Sequence, residues 1–278
     1  MTTLNADLHC HSTISDGLLT PSEVVARAVA NGVEMLALTD HDELSGLGEA
    51  QVAAHNHGIR FINGVEISVS WGVQTIHIVG LAVAPDSPEL VSGLAAVRAG
   101  RDLRAAEMGR ALEAIGIRGA HAGALKYVGN PALVSRSHFA RYLVEVGAAR
   151  DVKAVFDHYL VRGKPGFVEH EWASLADALG WIHAAGGLAV IAHPGRYRLS
   201  RAGLDELFVR FRELGGEAIE VVSGSHNHEA TLEYARIARR YGFLASRASD
   251  FHGPGESSVD IGCAERLPED LTPVWSRL

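Results

Sequence analysis

Two hydrophobic periods alternate along this chain. Short apolar runs at 35–38, 188–192, 218–222 and 243–246 read as buried strands, and 59–68 and 75–79 add two longer, mixed ones. Between them lie stretches with the helical period. Thr20-Pro21-Ser22-Glu23 combines an N-cap, a first-turn proline and a Glu three residues after the cap, predicting a helix that runs to Asn31 and stops at Gly32. Further helices are predicted over 44–57, 175–185, 204–214 and 229–241. From 87 to 162 the alternation stops, and helix follows helix: a long one over 89–115, then 120–127, 137–146 and 152–160. With an opening strand at 7–11 the count is seven strands with intervening helices. This is an α/β chain with its barrel-type units at 1–100 and 167–278 and a helical insertion at 101–166.

The opening strand, Asp7-Leu8-His9-Cys10-His11, carries the first chemical signal. Alternate side chains of a strand share a face, so His9 and His11 converge while Cys10 points into the core. Asp16 follows in a polar loop able to fold back over them. Two imidazoles and a carboxylate are the start of a metal site. The same residue types recur at the ends of later strands: His41, Glu66, His77, His193 and the pair Asp250/His252. In α/β barrels the C-terminal strand ends carry the chemistry. The remaining histidines fit that pattern less well. His55 and His57 sit at a helix C-terminus, His121, His158, His170 and His183 have no partner pattern, and His226 and His228 follow a strand end within reach of a substrate. Glu220 lies inside a strand, as an orienting group and not a ligand. Trp71, Trp172 and Trp181 read as core or rim, with Trp172 the one placed to stack a base.

Composition bounds the function. The 278 residues are 47% hydrophobic and 21% charged, as in an ordinary soluble globular protein. No apolar run reaches a membrane span, and the N-terminus lacks a signal-peptide core, so a cytoplasmic location is expected. Two cysteines make no disulfide scaffold. The net charge of −8 argues against coating long nucleic acid but leaves a phosphate-bearing small molecule open.

Together, His9-Cys10-His11, Thr39-Asp40-His41-Asp42, Gly64-Val65-Glu66, His77, Ala192-His193-Pro194 and Ser249-Asp250-Phe251-His252 make the chain resemble the PHP family, the polymerase and histidinol phosphatase phosphoesterases. The resemblance implies a distorted (β/α)7 barrel holding three divalent metal ions. His9, His11, Glu66 and Asp250 would hold the first, Asp16, His41 and His252 the second, and Glu66, His77 and His193 the third. Asp16 stands where some members have histidine, and a carboxylate there favours Mn²⁺, with Fe²⁺ or Zn²⁺ as alternatives. Three divalent ions outweigh the three carboxylates, leaving a positive centre suited to a phosphate dianion. The implied chemistry is attack of a metal-bridging hydroxide on a phosphate monoester.

Asp40 would orient an imidazole, and Asp42 fits either that role or a solvated loop. On the substrate side, Ser135, Arg136 and His138 at a helix start, Lys164 in the loop leaving the insertion and Arg196 after His193 would form a cationic rim. Within the family, the insertion with Ser135-Arg136-Ser137-His138 and Asp16 resemble the nucleotide-acting branch, which implies removal of the 3′-phosphate from nucleoside 3′,5′-bisphosphates, with short oligoribonucleotides cut from the 5′ end, or histidinol phosphate, as alternative substrates. A non-catalytic metal-stabilised barrel and a C–N hydrolase are the rival classes.

Overall fold

The computed structural model describes residues 4–278. Seven strands form one nearly closed sheet in chain order: β1 (Ala6–Asp7), β2 (Met35–Leu38), β3 (Arg60–Trp71), β4 (Gln74–Leu81), β5 (Leu188–Ile191), β6 (Ala218–Val222) and β7 (Leu244–Arg247). The barrel closes between the segments that extend β1 and β7. Leu8 N–H donates to the Arg247 carbonyl (3.1 Å), Asp250 N–H to that of His9 (2.9 Å) and His11 N–H to that of Phe251 (2.9 Å). The helices are α1 (Pro21–Ala30), α2 (Leu47–His57), α3 (Pro88–Ala99), α4 (Arg101–Ala114), α5 (Ala120–Leu125), α6 (Arg136–Glu145), α7 (Val152–Val155), α8 (Leu175–Ala184), α9 (Arg201–Glu213) and α10 (His228–Tyr241). None of them is long and apolar enough to cross a membrane.

The α/β barrel with helices between β4 and β5 is as expected, and three local features differ. First, β4 runs antiparallel to both neighbours, whereas the other pairings are parallel. His77 therefore faces the site from the first half of its strand, not from a C-terminal end. Second, Glu66 sits in mid-strand, because β3 continues past the barrel rim into a hairpin with β4. Third, the helix expected over 89–115 breaks at Gly100, and the one over 152–160 becomes a π-helical turn at Phe156–Leu160. A Cβ at Gly100 would lie 2.3 Å from the His170 ring, so a side chain there would have to displace that ring. The break starts α4 at Arg101 and points its first turn toward the barrel mouth.

The apolar packing explains what is rigid. Buried Ile67, Ile78, Ile191, Ile219, Phe208 and Phe211 belong to one cluster joining sheet and outer helices. The helices after β4 have a cluster of their own, including Met108, Leu112, Phe139, Leu143 and Leu160. Polar struts fasten them to the barrel. Arg141 donates to both oxygens of Glu256 (2.8 Å each) and to the Asp16 carbonyl (2.5 Å).

Asp7 fastens the barrel seam beneath the histidines. Its buried carboxylate accepts from Ser249 N–H (2.9 Å) and Gly262 N–H (2.7 Å). Asp7→Ala leaves both buried donors unpaired, at about 1–3 kcal/mol each. A urea unfolding curve is expected to show a loss of about 2–6 kcal/mol; an unchanged midpoint would show that the seam does not depend on this carboxylate.

Candidate metal centre and phosphate pocket

The β1 extension delivers His9 and His11 together, as strand alternation predicted. Their Nε2 atoms stand 3.1 Å apart, and both rings are fully buried. Glu220, in mid-β6, faces His9 Nδ1 at 2.6 Å through Oε1. Its Oε2 accepts the His193 N–H at 2.7 Å. A proton held on His9 Nδ1 by Glu220 leaves the Nε2 lone pair pointing inward, the arrangement a metal ligand needs. Glu66 occupies the middle. Its carboxylate lies 3.3 Å from His9 Nε2, 3.4 Å from His11 Nε2, 2.7 Å from His41 Nδ1, 2.8 Å from His77 Nδ1 and 2.9 Å from His193 Nε2.

The Asp16 loop folds back as its sequence suggested. Gly17 N–H donates to the Ser12 carbonyl (2.8 Å), and a Cβ on Gly17 would lie 2.5 Å from the His11 carbonyl oxygen, so the turn requires glycine. Asp16 Oδ1 ends 3.8 Å from His41 Nε2 and 3.6 Å from His252 Nε2. On the opposite side Asp250 Oδ1 lies 3.4 Å from His11 and 3.6 Å from His9. Asp42, His193 and Asp250 all have positive φ (51°, 26° and 53°). Non-glycine residues held there store strain, and such residues gather at functional sites.

The electrostatics match a site built for cations. Burial opposes ionisation of Asp16, Glu66 and Asp250, yet the surrounding histidines hold all three carboxyls well below the usual range. Burial likewise opposes charge on His41, but Glu66 and Asp16 raise it to about 9. Burial drives His11 down to about 3, helped by His252 and His41, and His77 down to about 4 against the pull of Glu66. Protons on some rings thus stand in for positive charge, while other rings stay neutral with free lone pairs. Asp16 Oδ1 is buried without a hydrogen-bond partner, and Glu66 Oε2 and His41 Nδ1, though 2.7 Å apart, are too poorly aligned to bond each other. Orphaned donors and acceptors of this kind are rare away from functional sites, and a bound ion would satisfy them.

Three groups of ligand atoms lie close enough to share an ion: His11, Asp16, His41 and His252; His9, His11 and Asp250; His41, Glu66 and His77. This partition differs from the one implied by resemblance, because His11 and His41 each face two groups. His193 reaches the centre only through its contact with Glu66.

The supporting residues also fall differently from expectation. Asp40 touches no imidazole; it accepts from Ser12 N–H, Ser12 Oγ and Ser15 Oγ (2.8, 2.6 and 2.5 Å), and Ser15 Oγ in turn lies 3.5 Å from His11 Nδ1. Asp42 is not solvated; its buried carboxylate accepts from Ser68 N–H (2.8 Å) and pairs with Arg101. Ser135 caps α6 and donates to Asp16 Oδ2 at 3.0 Å. His138 is buried, its Nδ1 accepting the Ser135 N–H (3.0 Å), and burial pushes it down to about 4. It closes the cap and does not reach the pocket. Lys164 is exposed and lies outside the pocket as well. Arg136 and Arg196 do line it; Arg136 lies over the Phe156 ring at 5.6 Å, and Arg196 Nη1 donates to Asp250 Oδ2 at 2.7 Å. His226 supports the turn behind His193 by accepting Gly195 N–H (3.1 Å), and exposed His228 faces Glu265.

Sequence reasoning missed Arg101 and Arg104, which line the pocket from the first turn of α4 and pack on the Trp172 ring at 4.6 and 5.2 Å. Burial, with Arg136 and Arg101 nearby, lowers Arg104 to about 9. The only signal was two arginines three apart after a glycine inside a helical pattern.

A barrel mouth with buried carboxylates at its centre, imidazoles around them and arginines lining the same pocket defines a metal-dependent hydrolase. The chain matches the PHP domain over residues 7–187 and belongs to that family. It is 53% identical to the 3′,5′-nucleoside bisphosphate phosphatase of Chromobacterium violaceum, over 99% of this chain and 96% of that protein. It is 42% identical to a 5′-3′ exoribonuclease of Haemophilus influenzae, over 98% of each. Its fold superposes with TM-score 0.96 on an amidohydrolase from Chromobacterium violaceum solved with bound sulfate and no metal, at 53% identity over 98% and 95% of the two chains.

Metal binding only to the folded chain must stabilise it. Titrating Mn²⁺ is expected to raise the melting temperature of the wild type, and Glu66→Ala to abolish the rise. Glu220→Ala, which frees the His9 tautomer, is expected to weaken Mn²⁺ about 10- to 100-fold. An unmoved melting temperature in the wild type would contradict the metal reading.

Proposed function

We propose that this chain is a metal-dependent phosphatase that removes the 3′-phosphate of nucleoside 3′,5′-bisphosphates and leaves the 5′-monophosphate. The observation that carries the reading is the pairing of two features in one pocket: a carboxylate–imidazole centre with orphaned buried atoms, and a wall formed by Arg101, Arg104, Arg136 and Arg196. A substrate with two phosphates needs both. The similarity to the Chromobacterium violaceum phosphatase over nearly the full length of both chains supports the same substrate.

His9, His11, Asp16, His41, Glu66, His77, His193, Asp250 and His252 would hold three divalent ions, with Mn²⁺ the expected one because carboxylates share the donor set with imidazoles. Bound there, such ions supply Lewis-acid polarisation of the phosphoryl group and an activated water near neutral pH. The protein's own residues do the rest. Glu220 fixes the His9 tautomer and the His193 backbone, Ser135 orients Asp16, and the Asp250–Arg196 pair sets one edge of the pocket. Arg136, which makes no ion pair with a carboxylate among the described residues, is free to take a phosphate oxygen pair. Residues 101–166 act as the cover that brings Arg101, Arg104 and Arg136 over a barrel that has the metals.

The second reading is 5′-to-3′ cleavage of short oligoribonucleotides, favoured by the 42% identity to the Haemophilus influenzae exoribonuclease. Phosphate release by the Mn²⁺-loaded protein from adenosine 3′,5′-bisphosphate, with a 5′-phosphorylated dinucleotide and histidinol phosphate alongside, separates them. The bisphosphate is expected to turn over fastest, with all activity lost in excess chelator. Faster turnover of the dinucleotide would move the assignment to the exonuclease, and turnover of histidinol phosphate alone would remove the nucleotide. Arg136→Met is expected to raise KM for the bisphosphate about 10- to 100-fold, the loss of one charge-assisted contact of roughly 1.5–3 kcal/mol.

A further inference from the structure

The ligand group His11, Asp16, His41 and His252 is supported differently from the rest of the centre. Three of its four members are tied to the helices between β4 and β5. Ser135 Oγ donates to Asp16 Oδ2 at 3.0 Å, and Arg141 donates to the Asp16 carbonyl at 2.5 Å. Beside His41, the Asp42 carbonyl accepts from Arg98 Nη1 at 2.5 Å, and the Asp42 carboxylate pairs with Arg101. His252 is reached through Glu256. Arg141 donates to both oxygens of that carboxylate at 2.8 Å, and the next residue, Ser257, accepts the His252 N–H at 2.7 Å through its Oγ. Leu18 N–H, two residues beyond Asp16, donates to the His252 carbonyl at 2.7 Å, so the Asp16 and His252 loops form one unit.

The other ligands are held by the barrel itself. Glu220 supports both His9 and the His193 N–H. Tyr197 does the same for His77: its hydroxyl accepts the His77 N–H at 2.9 Å and donates to the Ala192 carbonyl at 2.7 Å, which joins β4 to the residue before His193. Arg196 holds Asp250. Among the described residues, no hydrogen bond or ion pair ties the side chains of His9, His77, His193 or Asp250 to the helices between β4 and β5. Arg141 is the hub of the outer support. It is buried, and its paired carboxylate on Glu256 is partly exposed. A guanidinium bound at both carboxylate oxygens is a strut of fixed direction. Ligands held by two bodies come into register only when those bodies are docked. An ion bound there favours the docked state, and by linkage docking favours the ion to the same extent.

We propose that the Arg141–Glu256 pair positions the ligands of one ion of the centre, the ion facing Asp16 and His252, and that this ion in turn fastens α4, α5 and α6 over the barrel mouth. Ions held by His9, His77, His193 and Asp250 depend on the barrel alone. The proposal rests on the metal reading of the centre and is tested without turnover. It makes Glu256 a positioning residue that acts through Asp16 and His252 while touching neither ligand side chain.

The test measures Mn²⁺ binding to the full chain by equilibrium dialysis and backbone hydrogen exchange over α6 on the same samples, in wild type, Glu256→Gln and Tyr197→Phe. Glu256 lies at the partly exposed end of the pair, so its replacement removes the charge and keeps the shape without opening the core. In the wild type, Mn²⁺ is expected to slow exchange over α6. Glu256→Gln is expected to bind one ion about 10- to 100-fold more weakly, to keep the affinity of the rest, and to lose the Mn²⁺-induced slowing. Tyr197→Phe, which alters only barrel-held ligands, is expected to keep that slowing. The proposal is overturned, with the metal reading left standing, by unchanged Mn²⁺ affinities in Glu256→Gln, by equal weakening of every ion in that variant, by loss of the slowing in Tyr197→Phe, or by α6 exchange that ignores Mn²⁺ in the wild type. A wild type that binds no Mn²⁺ would overturn both.

Discussion

The burial of Glu66 is the constraint on which the rest of the site depends. A carboxylate removed from water costs several kcal/mol unless positive charge surrounds it. Here five imidazoles from four different segments come within 3.4 Å of it. No single element could supply them. A strand that runs on past the barrel rim puts Glu66 in the middle, the β1 extension brings His9 and His11, and β4 reverses direction to bring His77. The barrel is thus the device that lets distant, short elements converge on one buried charge. With cations bound, the same arrangement gains the charge it lacks, and Asp16 and Asp250 flank it on either side.

The helices between β4 and β5 add what the barrel cannot. Barrel strand ends present ligands over a short radius, whereas a phosphate held away from the metals needs cations higher up. Helix α4, broken from α3 at Gly100, provides Arg101 and Arg104, and α6 provides Arg136. These helices are tied to the very loops that carry metal-type ligands: Arg101 to Asp42 beside His41, and Ser135 and Arg141 to Asp16. The pocket-lining arginines and the carboxylate–imidazole cluster are therefore positioned by shared contacts, and displacement of one set disturbs the other.

The ligand-type residues were legible in the sequence because their signals are local. His9 and His11 share a face by strand periodicity, and His41, His193 and Asp250 follow apolar runs directly. The β4 reversal was missed, and His77 was expected at a C-terminal strand end, although so short a connection between 59–68 and 75–79 cannot carry a parallel crossover. The cationic rim was not readable to the same degree. Nothing in Ser135-Arg136-Ser137-His138 tells which side chain turns inward, and the cap takes His138 out of the pocket. Lys164 and Arg104 look equally charged as letters, yet only the packing of α4 against Trp172 decides that Arg104 faces the cavity. Glu220 showed its in-strand position but not that it would hold both His9 and the His193 backbone.

The central claim is that the ring around Glu66 is a polynuclear metal centre. Anomalous diffraction from crystals grown with Mn²⁺ tests it most directly. Three anomalous peaks among His9, His11, Asp16, His41, Glu66, His77, His193, Asp250 and His252, with the Glu66 carboxylate touching more than one, are the expected result. A single peak, or none at Glu66 with the histidines still hydrogen-bonded to its carboxylate, would contradict the account.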